Sequence, residues 1–322
     1  MRVSLVALLM LAALGIGGEH ARAESYPSRP VRIVVPFAAG GALDVLARLI
    51  GGKLSDAMGQ PVIVENRAGA GGNLGADAVA KSPPDGYAIL LTTNGLAIAP
   101  ALYRKLPFDP AQDVAPVTQI LASSLVLVAS LRSQLTSVQE LIAAARSKPG
   151  GMNYGSTGAG NPLHLTMEMV KIAAGIDLQA VPYRGDAPLH AALTAGDVDV
   201  AVVPMATARP HIDGGRVRAL AITGGKRSPA LPEVPTLTEQ GVAVESASWQ
   251  GFFVSANTPR DVMLTIQRET KKVLAMPDVL ERIKAFGAEP IGSTPEEFAA
   301  KFNADLARFA RIVEDAKIPK QD

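Results

Sequence analysis

Glycines and hydroxyls crowd the stretch Gly155-Ser156-Thr157-Gly158-Ala159-Gly160-Asn161 in the middle of the chain. It leaves a short apolar strand candidate and enters a helix candidate over residues 162–174. Such a turn uncovers backbone N–H groups at the positive end of a helix, a setting that suits a carboxylate or another anion. Phe37-Ala38-Ala39-Gly40-Gly41 repeats the pattern near the start of the chain. Asp44 follows in the first helical turn, where it either satisfies free N–H groups or meets a polar or cationic part of a ligand. Arg184-Gly185-Asp186 opens a third helix candidate. A guanidinium grips a carboxylate through two bonds, so Arg184 is the leading charged candidate, with a solvated ion pair as the alternative. Asp186 has the same two readings as Asp44. Asn94, in Thr93-Asn94-Gly95, ends a strand beside these turns, although Asn-Gly also favours a plain turn. Trp249 and Met205 fit either an apolar wall or the core.

Patterns for catalysis are missing. There is no phosphate loop of the G-x-x-x-x-G-K-[ST] type. Gly69-Ala70-Gly71-Gly72-Asn73-Leu74-Gly75 resembles a dinucleotide fingerprint but has Leu74 in place of the third glycine. No G-x-S-x-G elbow surrounds Ser156. Beyond the first 23 residues the histidines are His164, His190 and His211, and none forms a metal-ligand pair at helical spacing. His164 follows Asn161 by three residues and reads as a ring packed beneath the loop or as a ligand contact. No cofactor is expected.

The elements that must carry these turns follow from apolar runs. Residues 31–37 form a strand apolar enough for burial on both faces of a parallel sheet. A helix follows to about Met58, with Val45, Leu46, Leu49 and Ile50 on its buried stripe. Further strands are expected at 61–65 and 87–92, then at 152–154, 178–182 and 198–203, with helices between them. That alternation predicts α/β lobes with mostly parallel sheets. Residues 117–129 are longer than one strand needs and read as a crossing between lobes, with 218–223 as the return. A strand at 249–254, a helix at 259–276 and a last helix from Pro295 complete the chain. Phe298, Phe302, Leu306, Phe309 and Val313 mark one buried face of that last helix. The expected domains are lobe 1 over 24–122 and 224–322, and an inserted lobe 2 over 123–223. Ligands in such sheets sit beyond the carboxyl ends of strands.

Arg2, an apolar run over 3–17 and Ala21-Arg22-Ala23 predict a secretory signal peptide over residues 1–23. The run is shorter than the roughly 20 residues that span a bilayer. Cysteine is absent, which excludes disulfides, thiolate metal sites and a cysteine nucleophile. An exported chain without disulfides suits a bacterial periplasm. Without residues 1–23 the basic and acidic side chains balance, so no nucleic-acid footprint is implied. Aromatics make up 4% of the chain, too few for a stacking groove.

Taken in order, several pieces resemble the substrate-binding receptors of tripartite tricarboxylate transporters, the Bug-type receptors. They are Val35-Pro36-Phe37-Ala38-Ala39-Gly40-Gly41 with Asp44; Val64-Glu65-Asn66-Arg67 with Gly69-Ala70-Gly71-Gly72; Pro84-Asp85-Gly86-Tyr87; Tyr154-Gly155-Ser156 with Gly158, Gly160 and His164-Leu165; Val181-Pro182-Tyr183-Arg184-Gly185; and Pro235-Thr236 with Glu239-Gln240-Gly241. The resemblance implies a type II periplasmic-binding fold, two α/β lobes joined by two crossing strands with a ligand cleft between them. It implies a small carboxylate ligand (a di- or tricarboxylate, an amino acid or an aromatic acid) and integral-membrane permease subunits as partners. The contacts it implies are Phe37, Ala39, Gly40, Gly41, Asp44, Asn94, Ser156, Thr157, Gly158, Arg184, Gly185 and Asp186, without a catalytic residue or a metal. Ala68 and Ser255-Ala256-Asn257 depart from the family pattern, and Asp186 stands where small residues are common. Two alternatives are a sensing module for a membrane kinase and a periplasmic hydrolase using Ser156.

Overall fold

The computed structural model describes residues 26–157, 161–183, 185–285 and 287–321. The expected signal peptide, Gly158 and Arg184 lie outside the described residues. Strand β1 (Val31–Val35) leads into helix α1 (Ala42–Met58), β2 (Val62–Asn66), α2 (Asn73–Ala80), β3 (Ala88–Thr93) and α3 (Gly95–Leu102). The 17-residue β4 (Val114–Ser130) follows. Next come α4 (Val138–Ser147), β5 (Asn153–Ser156), α5 (Pro162–Ala174), β6 (Gln179–Pro182), α6 (Asp186–Ala195), β7 (Val200–Pro204), α7 (Met205–Asp213) and β8 (Val217–Ile222). The chain closes with β9 (Ala247–Ser255), α8 (Arg260–Leu274), α9 (Pro277–Ala285), β10 (Ala288–Pro290) and α10 (Pro295–Asp315).

These elements build two α/β lobes. In the first, β1 pairs parallel with β2 and β3, β9 runs antiparallel to β3, and the first part of β4 runs antiparallel to β9. In the second, β5 pairs parallel with β6 and β7, and the last part of β4 lies antiparallel between β7 and β8. One long strand therefore belongs to both sheets, which is why the apolar run exceeds a normal strand length.

Each sheet is covered on both faces. In the first lobe α1, α8 and α9 cover one face. Trp249, Phe253, Phe298, Phe302 and Phe309 pack the other, each at most 2% exposed. Burying each such side chain contributes roughly 2–3 kcal/mol. Gly251 in β9 is required there, because a Cβ would strike the Phe298 ring. Trp249 is thus core, its indole N–H donating to Asp305 at 2.8 Å. Thr294 and Glu297 form a capping box that starts α10. Among the described residues no helix is long and apolar enough to cross a membrane.

Three expectations need correction. Val45 is 43% exposed, while Leu43, Leu46, Ile50 and Leu54 are buried; at 100° per residue, Val45 falls off that stripe. Residues 218–222 are not the return crossing but strand β8 of the second sheet. The return runs through 223–246, which packs Leu231, Val234, Leu237, Val242 and Val244 into the second lobe's cores, although it was expected in the first lobe. Where the two connections meet, the Thr223 N–H donates to the Leu125 carbonyl at 3.0 Å and the Ser246 N–H to the Thr223 carbonyl at 2.7 Å.

Candidate functional site

A cavity of about 550 Å³ opens between the lobes, within the usual size range for small-molecule sites. Its first-lobe wall holds Phe37 after β1, Leu43 and Leu46 of α1, Thr93 at the end of β3, and Ser123, Ser248 and Gln250 from β4 and β9. Its second-lobe wall holds Thr157 after β5, Asn161, Pro162 and Leu163 at the start of α5, Asp186 at the start of α6, and Met205, Ala206 and Thr207 at the start of α7. The wall therefore collects the carboxyl ends of parallel strands from both sheets, as strand–turn–helix topology dictates. No described residue of the turn after β2 is on that wall.

Four helices begin at this cavity: α1, α5, α6 and α7. Asn161 caps α5, its Oδ1 accepting from the His164 N–H at 2.9 Å, and Pro162 occupies the first turn, where a missing N–H costs nothing. The same Asn161 donates from Nδ2 to Thr157 Oγ1 at 2.8 Å, which ties Thr157 to the start of α5. The other three helices have no side-chain cap at their N-terminus. Their first N–H groups are left to solvent or ligand, at the positive ends of the helix dipoles.

The first-lobe loop is held from behind. Asp44 is 3% exposed. Its carboxylate accepts from the Gly40 N–H at 2.9 Å, from Arg48 Nε at 3.0 Å and from Asn66 Nδ2 at 3.0 Å. Asn66 also donates to the Phe37 carbonyl at 3.1 Å. The Arg48 hydrogen bond, followed by the Gly40 N–H, holds the Asp44 carboxyl down to about 2. Ala39, Gly40, Gly41 and Asp44 thus form and brace the loop, while Phe37 is the part of it on the cavity wall. We expect Asp44→Ala to lower folding stability by about 2 kcal/mol, because it removes three part-buried hydrogen bonds to an ionised carboxylate, and to weaken ligand binding by releasing Phe37. Urea titration and calorimetry on the same variant check both. The depressed pKa means that this contribution is complete above about pH 4 and is lost only as pH falls through the folded value.

Other sequence candidates separate. Thr157 and Asp186 line the cavity. Gly185 caps α6 with φ at 106°, a left-handed value that favours glycine. Asn94 is 1% exposed and lies behind the wall, with Ser248 Oγ at 3.3 Å from its Oδ1. Ser156 ends strand β5 at 3% exposure, and its carbonyl accepts from the Tyr183 N–H at 2.7 Å. Ser156 is not among the described residues of the cavity wall. His164 packs on Tyr154 with ring centroids 6.0 Å apart, and burial lowers its pKa.

Met205 is both core, at 2% exposure, and wall. The turn after Val203 is a candidate in the sequence, but helix α7 itself is not expected there, because Pro210 lies inside it. Ser248 and Gln250 flank the buried Trp249 at period two, a signal that was available in the sequence. Burial raises the Asp186 pKa. Among the described residues no group of three His, Asp or Glu could hold a metal ion.

Two α/β lobes around such a cleft define a solute receptor of the periplasmic-binding-protein type, a binding protein rather than an enzyme. The model of the tripartite tricarboxylate transporter family receptor matches residues 46–318, and the chain belongs to that family. It is similar to protein BugT of Bordetella pertussis, with 34% identity over 310 residues, 95% of this chain and 95% of that protein. Among solved structures it is similar to an R. palustris protein with adipate, at 35% identity and a TM-score of 0.80, covering 92% of this chain and 100% of the other. MatC from Rhodopseudomonas palustris with bound malate gives 30% identity and a TM-score of 0.76, covering 89% of this chain and 100% of that one.

Proposed function

We propose that this chain is an extracytoplasmic receptor that captures a small carboxylate between its lobes and delivers it to an integral-membrane permease. The observation that carries this reading is the convergence of four helix N-termini on one cavity, three of them without side-chain caps. Free N–H groups at positive helix ends bind carboxylates without needing a lysine or arginine. Among the described residues no lysine or arginine lines the wall. Adipate and malate in the two related structures are acids of suitable size. The receptor family supports the permease partner, and residues 1–23 fit export to the periplasm.

Ligand that touches both walls favours the closed arrangement of the lobes, since only there are all contacts made. The test is calorimetry and thermal shift on the ligand-stripped chain from residue 24, against a panel including adipate, malate, succinate, glutarate, aspartate and glutamate. At least one acid should bind and raise the melting temperature. A panel with no binder removes the proposal.

A further inference from the structure

The cavity holds an opposing charge that the helix ends do not explain. Among the described residues on its wall, Asp186 is the charged one, and no hydrogen bond or ion pair engages its carboxylate. Among the described residues no Lys or Arg lines that wall to offset it. A plain dicarboxylate held there would meet a like charge in a partly desolvated setting, where repulsion is poorly screened. The same surface that attracts one end of a ligand therefore repels a second anionic end near α6.

We propose that the ligand carries an ammonium group beside its carboxylate, and that Asp186 is the residue that selects for it. The inference rests on the carboxylate reading of the cavity. The carboxylate takes the uncapped N–H groups, and the ammonium donates to Asp186 in a charge-assisted bond. Each pole of the zwitterion then meets its complement. Burial raises the Asp186 carboxyl pKa, and an ammonium beside it would offset that cost. Its position in the first turn of α6 also lets Asp186 move as one body with that helix when the lobes close.

The experiment uses matched acids that differ only by the amine: succinate and L-aspartate, glutarate and L-glutamate, adipate and L-2-aminoadipate. Each is titrated by calorimetry at pH 7.5 into wild-type protein and into Asp186→Asn. The expected result is that the tightest ligand is an amino member, bound at least about tenfold more tightly than its plain partner. In Asp186→Asn that ratio should collapse to within about threefold. The loss should come from weaker binding of the amino member, with the plain acid unchanged or tighter. A purely structural role would lower both members together and preserve the ratio, which overturns the assignment. Plain acids that bind as well as their amino partners in wild type also overturn it while leaving the carboxylate reading intact. No binding by any of the six removes the carboxylate reading itself, and the selection with it.

Discussion

Ala206→Trp should abolish ligand binding while leaving the fold unchanged. Ala206 is solvent-exposed in the first turn of α7 and its side chain forms part of the cavity wall. An indole there projects into the space that a ligand must fill and stands between the two lobes. It also covers the uncapped start of α7, one of the N–H sources that we assign to the carboxylate. The expected loss is at least hundredfold, about 3 kcal/mol. The residue is not packed in a core, so the melting temperature of the unliganded protein should stay within about 2 °C of wild type, as for other exposed substitutions. Ala206→Ser adds little bulk and should bind normally. Binding by the tryptophan variant within threefold of wild type would place the ligand elsewhere.

The two sheets were legible because buried parallel strands are continuous apolar runs, and β1, β3 and β7 are of that kind. The crossing was legible from length, since β4 is too long for a single sheet. The return was not. Residues 223–246 have no strand period of their own, and only long-range packing of Leu231 to Val244 against the second lobe shows where they belong. Helix α3 was hidden by Asn94-Gly95, which reads as a turn signal but here opens a helix. Asp44 illustrates the limit for single residues. Its type and position were informative, but its role depends on Arg48 one helical turn on and on Asn66 from β2. Local sequence names such a carboxylate, and tertiary contacts decide whether it turns toward the ligand or away from it. Cavity residues supplied by strand alternation, such as Ser248 and Gln250, require the register with β4 before their direction has meaning.

Acidification should loosen the second lobe through a pair of stacked histidines. His190 of α6 and His211 of α7 lie face to face, with ring centroids 4.4 Å apart and planes 3° from parallel. His190 is 4% exposed, and neither of its ring nitrogens, nor Nδ1 of His211, has a hydrogen-bond partner. Burial, then His211 and Arg216, lowers the His190 pKa to about 4. Burial and Arg216 lower that of His211. An unfolded histidine takes its proton near pH 6.5. Between that pH and about 4 the unfolded chain binds a proton at His190 that the folded chain excludes. Stability is therefore complete above about pH 6.5 and falls as pH drops through this window, by roughly 2 kcal/mol after allowance for partial solvation. Protonation of both rings would place two like charges in contact and push α6 from α7. The starts of those helices carry Asp186 and Ala206, so ligand affinity should fall over the same range. His190→Phe keeps a flat ring in the stack, loses no hydrogen bond and cannot titrate. Its melting temperature should match wild type at pH 7.5 and decline less steeply between pH 7 and pH 5. An unchanged acid slope in the double variant His190→Phe, His211→Phe would assign the acid sensitivity to other groups.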